Sequence, residues 1–297
     1  MNVSGAPSWR ASLHGGHSAA YCDHARSPLR DILDAAVERG LCLFGVTEHA
    51  PRTEPERLYD EERAMGWTVE TLAALFSAYA REVNALKEEY AGRIVILKGF
   101  EAEVVPEASW EEMALRWKQN LGFDYIVGSV HYVAGYIIDY KPEYFRLAVE
   151  AAGGMEPAAV RYFQAVAEMA ERLRPKVVGH FDLIRKQFSS DESLYTPRVS
   201  RAALEALEAV RDAGCILDIN TGGYRKGLGR PYPAPFLVRA AADMGLRACL
   251  GDDSHASDEV AWQFEDAREY LLRCGMRKVT LLWPDKAGLD RRDIPLD

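Results

Sequence analysis

Seven short apolar runs, separated by segments of helical periodicity, most constrain what this chain can fold into. They are 42–47 (CLFGVT), 94–99 (IVILKG), 124–130 (DYIVGSV), 177–179 (VVG), 215–219 (CILDI), 247–250 (RACL) and 278–283 (KVTLLW). Runs of this kind read as buried parallel strands. A weaker first strand ends near His14. Between the runs, 28–39, 68–91, 110–120, 156–173, 197–213 and 233–244 repeat apolar residues at the helical period. Pro28 and Pro197 fall where a first helical turn tolerates proline, and Gly40, Gly214 and Gly245 lie just past helix ends. Such alternation predicts an α/β fold. An open doubly wound sheet would alternate in the same way. The residues that close the runs favour a closed (β/α) barrel, because only a barrel gathers that many strand ends on one face. No linker-like break in composition appears, so 1–297 reads as a single domain.

Those closing residues are chiefly histidines and acids. The chain has seven histidines, and all sit in motifs that suit metal ligands: His14, His17, His24, His49, His131, His180 and His255. Thr47-Glu48-His49 closes the second strand, and Glu101 and Glu103 follow IVILKG in Gly99-Phe100-Glu101-Ala102-Glu103. His131 follows VGSV, His180 follows VVG, and the last motif is Gly251-Asp252-Asp253-Ser254-His255. Each has a plain structural reading: a strand cap, solvated loop charges, a satisfied histidine, an acidic turn. Together, on consecutive strands, they point to a cluster of borderline divalent metals held by imidazole and carboxylate. A carboxylate placed like Glu101 can bridge two cations, one per oxygen. Asp253 and His255 are two residues apart, so an extended backbone points both to one side. Asp252 then faces the other way or caps the following helix.

A net charge of −9 argues against a nucleic-acid surface. The start of the chain shows no charged segment leading into an apolar core, and no run approaches membrane-spanning length. The five cysteines are odd in number and scattered, which fits reduced thiols and predicts a cytoplasmic protein. Cys42, Cys215 and Cys249 fall in apolar runs and read as core. Cys22 lies beside Asp23 and His24, but no second cysteine is spaced to share a metal with it.

The order of these motifs resembles the polymerase-and-histidinol-phosphatase (PHP) metallohydrolase superfamily, specifically its histidinol-phosphate phosphatase branch. The resemblance spans about 9–270. It is carried by HSAAYCDHA (17–25), GVTEHAPR (45–52), KGFEAE (98–103), DYIVGSVHYVAG (124–135), VVGHFDLIRKQF (177–188), LDINTGGYRKGLGRPYP (217–233) and LGDDSHASDEV (250–260). It implies a distorted (β/α)7 barrel with three divalent metals (zinc, iron or manganese) at the C-terminal ends of the strands. Carried over by position, His14 and His17 with Glu101 and Asp253 would hold the first metal. Glu101 would bridge to a second completed by His131 and His180, and His24, His49 and His255 would hold the third. Glu101, Asp253 and His255 are then the expected catalytic residues, with Glu48 and Glu103 supporting ligands from behind. The implied reaction is hydrolysis of L-histidinol phosphate to histidinol and phosphate, in histidine biosynthesis, by a metal-activated hydroxide.

One departure concerns the first motif. The family pattern is His-x-His, whereas this chain has His14-Gly15-Gly16-His17, and residues three apart on a regular strand face opposite ways. A bulge at the two glycines would restore both ligands. Beyond the metals, phosphate needs cationic donors, and the planar forks of Arg185 and Arg225 are the best candidates, ahead of Arg52 and Lys186. Tyr132, Tyr136 and Asp139 are candidates to recognise the imidazole and amine. A related phosphoesterase with another small phosphate ester is the nearest alternative. An amidohydrolase-type barrel would not use the His24, His49, His255 set or the arginines, and a non-catalytic PHP module predicts degraded ligands or further domains.

Overall fold

Seven parallel strands form one sheet in chain order, each registered on the next. They are β1 (Ala11–Ser12), β2 (Leu43–His49), β3 (Val95–Ala102) and β4 (Tyr125–Gly128), then, after a small hairpin of β5 (Tyr132–Val133) and β6 (Tyr136–Ile137), β7 (Val177–Val178), β8 (Ile216–Asn220) and β9 (Ala248–Gly251). The two edges meet where Leu13 N donates to Leu250 O at 2.9 Å, which nearly closes the sheet into the expected barrel. This computed structural model describes residues 7–286 and 288–297; the first six residues, on which part of the reading of the chain's start falls, lie outside the described residues.

Helices α1 (Leu29–Glu38), α2 (Asp60–Ala64), α3 (Val69–Glu89), α4 (Trp110–Leu121), α5 (Pro142–Ala152), α6 (Met155–Leu173), α7 (Asp191–Leu194), α8 (Pro197–Asp212), α9 (Gly222–Arg225), α10 (Pro235–Asp243) and α11 (Phe264–Arg273) fill the connections. Their starts follow local chemistry. Thr68 Oγ1 accepts from Thr71 N at the head of α3, and Thr196 Oγ1 accepts from Val199 N at the head of α8, where Pro197 fills the first position. Among the described residues, no helix is long and apolar enough to cross a membrane.

Period-two alternation sorts each strand between two cores. Leu43, Val95, Leu97, Val127, Ile216 and Cys249 turn into the barrel, while Phe44, Ile96, Phe100, Leu217 and Leu250 pack outward under the helices. Tyr125 spans the interior and donates to Leu13 O at 2.7 Å. Gly45 and Gly99 admit it: a Cβ at either position would fall within 2.6 Å of its ring or hydroxyl.

The run at 278–283 is a strand but no barrel member. β10 (Lys278–Asp285) pairs antiparallel with β11 (Gly288–Pro295). Both sides of β9 are already taken, by β8 and by Leu13, and two residues between strands permit only an antiparallel return. Leu281, Leu282 and Trp283 pack against Ala11, Leu43, Val95, Val177 and Ile216, the first residues of their strands. The hairpin thus floors the N-terminal end and leaves the C-terminal end open.

Candidate metal centre

The expected ligands converge at that open end. His49 and Glu101 lie in register on β2 and β3, and His14, His180 and Asp253 sit two residues past β1, β7 and β9. Buried Glu101 is the hub. Its Oε1 lies 2.9 Å from His180 Nε2, 3.3 Å from His14 Nε2 and 3.7 Å from His131 Nε2, and its Oε2 lies 2.8 Å from His49 Nδ1. Ligand atoms within 4.8 Å of one another fall into four overlapping groups: His14, His17 and Glu101; Glu101, His131 and His180; His17, Asp253 and His255; and Cys22, His24, His49 and His255. All nine expected ligands are therefore brought together, and Cys22 joins them.

A second feature suits metal ions. Besides His49, whose Nδ1 faces Glu101, five imidazoles have Nδ1 near an oxygen: His14 with Asp218 (2.8 Å), His17 with Glu48 (3.4 Å), His24 with Asp23 (3.1 Å), His131 with Glu103 (2.6 Å) and His255 with the Asp253 carbonyl (2.9 Å). This fixes ring orientation and directs Nε2 inward. Nε2 of His14, His17 and His255 is buried without a hydrogen-bond partner, which a buried polar atom rarely tolerates. Cations in the groups that these residues form would satisfy all three, so the residues present fit metal ions.

The electrostatics of the polypeptide alone show how much positive charge the pocket calls for. Burial opposes charge on His14, yet Glu101 and Asp218 raise its pKa well above the ordinary value. Against the same burial, Asp253 and Glu48 raise His17 to about 9, and Glu103, Asp139 and Glu101 raise His131 to about 10. Burial and the neighbouring His17 push His49 down to about 4 and His255 well below its usual range. Glu101 and Asp253, despite burial, are held well below the carboxylate range by the surrounding histidines.

The extra glycine is absorbed past the end of β1, in a bulge-like turn and not within a strand. Gly16 N and His17 N both donate to Ser254 O (3.1 and 2.9 Å), a two-against-one pairing, and Gly16 takes φ +78°. A Cβ on Gly15 would lie 2.0 Å from Asp252 Oδ1. The extended backbone expected at the last motif is not found: Asp253 adopts φ +49°. The left-handed turn is fastened by Arg225, whose Nη2 donates to Asp252 O and Asp253 O at 2.7 Å each. Asp253 and His255 still meet, over His17. Asp252 caps no helix; its carboxylate accepts from Ser254 N and Ala261 N and ties the loop together.

A cavity of about 460 Å³ opens above the centre, lined by His24, His49, His131, His180, Asp253 and His255 and walled by Arg225, Lys226, Asp139, Tyr59 and Tyr140. Arg225 Nη1 has no partner. Arg185 does not line this cavity. It is buried against Tyr232, donates Nη2 to Pro231 O and pairs Nε with Asp182 Oδ2 at 3.6 Å, with Nη1 making no hydrogen bond. Arg52 is committed to Glu62 and stacks on Tyr59, and Lys186 donates to Asp139 O. Of the three residues expected to meet the imidazole and amine, only Asp139 faces the cavity. Tyr136, on the outer strand of the small hairpin, is 37% exposed and off the cavity, and Tyr132 is buried beside it under Arg57. The cavity's aromatic wall is instead Tyr59 stacked on Tyr140, 4.9 Å between centroids. Sequence reading also passed over Asp218, whose signal was an acid inside the apolar run CILDI.

The PHP domain family model matches residues 14–222. The chain belongs to the PHP domain family. A Schizosaccharomyces pombe protein named "Probable histidinol-phosphatase" is 34% identical over 95% of this chain and 93% of its own. A Deinococcus radiodurans protein of the same name is 35% identical over 87% of this chain and 92% of its own. Among solved structures, histidinol phosphate phosphatase from Lactococcus lactis, complexed with zinc, L-histidinol and phosphate, superposes with a TM-score of 0.72. It is 20% identical and covers 96% of this chain and 100% of its own. This PHP domain thus shares its barrel with that enzyme across nearly its whole length.

Proposed function

We propose that this chain is a metal-dependent phosphomonoesterase that hydrolyses L-histidinol phosphate to histidinol and phosphate. The observation that carries the proposal is Glu101 at the mouth of the barrel, whose Oε1 lies among His14, His131 and His180 and whose Oε2 lies 2.8 Å from His49. The relatives named histidinol-phosphatase over most of their length narrow the substrate. In this reading His14, His17, Glu101 and Asp253 hold one divalent ion, Glu101, His131 and His180 a second, and His24, His49 and His255 a third. Bound divalent ions supply Lewis acidity toward phosphoryl oxygens and ionise water near neutral pH.

The remaining work falls to the polypeptide. Asp218, Glu48 and Glu103 fix the tautomers and angles of His14, His17 and His131. Arg225, on the cavity wall, would bring a guanidinium to the phosphoryl group, a role that Arg185, off the cavity, does not share. Asp139 and the Tyr59–Tyr140 pair give the leaving alcohol's imidazole and ammonium a carboxylate and flat faces.

Phosphate release from histidinol phosphate, measured beside a panel of small phosphomonoesters on protein of known metal content, tests the proposal. The expected result is about three ions per chain, a preference for histidinol phosphate in kcat/KM, and loss of activity on chelation. Equal turnover of the panel would remove the narrow substrate, and full activity of Glu101→Ala would overturn the site.

A further inference from the structure

Cys22 stands out because it is buried among imidazoles and has no role in the site described so far. Its sulfur lies 3.3 and 3.4 Å from the two ring nitrogens of His24. Its ligand atom falls within 4.8 Å of those of His24, His49 and His255. His255 completes the picture: its Nδ1 is taken by the Asp253 carbonyl, and its buried Nε2 has no partner. Among the described residues, no other cysteine joins a metal-competent group.

We propose that Cys22 is a fourth ligand to the ion held by His24, His49 and His255, making that position a site of one thiolate and three imidazoles. The inference rests on the three-ion reading above but adds a chemical distinction to it. Such a donor set is tetrahedral and soft, and it selects zinc, cobalt or iron over manganese and magnesium. The two Glu101-linked positions offer imidazole and carboxylate and discriminate less. As the ion binds, the thiol gives up its proton to solvent and the sulfur lone pair fills the fourth position.

Cobalt(II) is the probe. Metal-free protein loaded with three equivalents should develop a sulfur-to-cobalt charge-transfer band in the near ultraviolet, beside the visible d–d bands. Cys22→Ser should lose the first and keep the second. Zinc-loaded wild type, read by X-ray absorption, should show a sulfur shell at about 2.3 Å, a measurement that does not depend on the variant folding. Three cobalt ions bound without the band, a band that survives Cys22→Ser, or a zinc spectrum with only nitrogen and oxygen neighbours would each overturn the assignment. The spectra separate this inference from the activity: a charge-transfer band in a protein inert toward histidinol phosphate would sink the phosphatase reading and leave Cys22 a ligand. Turnover by a three-cobalt protein without the band would do the reverse.

Discussion

Asp218 Oδ2 accepts from three donors: His14 Nδ1 at 2.8 Å, Asn220 Nδ2 at 2.8 Å and the backbone N of His180 at 3.2 Å. It therefore orients one proposed ligand through the ring and another through the backbone. Asp218→Asn keeps the volume but removes the charge, and should weaken metal binding or kcat/KM by roughly 10- to 100-fold while the fold persists. Competition with a graded chelator measures the first, and a wild-type affinity in the variant would show that the carboxylate is not needed. Arg225 makes a contrasting case. Arg225→Lys keeps a charge but not the fork on Asp252 O and Asp253 O, so kcat/KM should fall roughly 10- to 100-fold, the size of a lost charged hydrogen bond. Unchanged kinetics would place the phosphate elsewhere. The two residues also mark what the sequence could reveal. Histidines stand out by chemical type, and their positions after apolar runs announce a cluster. An aspartate inside such a run has no local mark that separates a support for His14 from a buried satisfied acid; only the closing of the sheet, which sets β9 alone between β8 and the end of β1 and lets Asp218 reach His14, does so.

The six expected helices and the barrel strands were legible because each carries its own period and its own punctuation, whereas α5 and α11 were not among the stretches expected to be helical. The predicted helix 197–213 opens on Pro197 and is followed by Gly214 at φ +71°, and it is found at Pro197–Asp212. The hairpin β10–β11 was half legible: its first strand reads as a buried run, but whether such a run joins the barrel depends on the edges left free by other strands. Tyr59 and Tyr140 were missed for a similar reason, since their stacking joins two loops 81 residues apart. The bulge at Gly15–Gly16 belongs to this scale too, and it supports a quantitative expectation. At φ +78° an alanine at position 16 costs about 1–2 kcal/mol from backbone strain alone, and its Cβ would also lie 2.9 Å from the Phe44 ring. Gly16→Ala should therefore lower unfolding stability by at least that amount in denaturant, with weakened uptake of the ion assigned to His14 and His17. A stability equal to wild type would mean that the segment is straight.

Across the whole molecule, protons and cations compete for one set of imidazoles. In the metal-free chain, His17 and His131 are raised from 6.5 to about 9 and about 10, and His14 is raised well above its usual value. Groups raised on folding contribute stability that is complete below the unfolded value and lost as pH climbs through the folded one. His49, lowered to about 4, and His255 act oppositely: their contribution is present above about 6.5 and is lost as pH falls. Glu101 and Asp253, lowered despite burial, add a further loss below about 4. The metal-free protein should thus be most stable near neutrality, with Tm declining from pH 7 toward 10. Ligation needs neutral imidazole, so ions entering at pH 7 should expel up to three protons from His14, His17 and His131, besides any from Cys22. Once the ions replace those protons, the alkaline decline should vanish, and metal affinity should rise with pH across the same range. Metal titration in weakly buffered solution reads the protons, and thermal melts from pH 6 to 10 with and without metal read the stability. Loading at pH 7 without proton release would mean that these imidazoles are already neutral, and that the carboxylates around them do not hold the charge their geometry suggests.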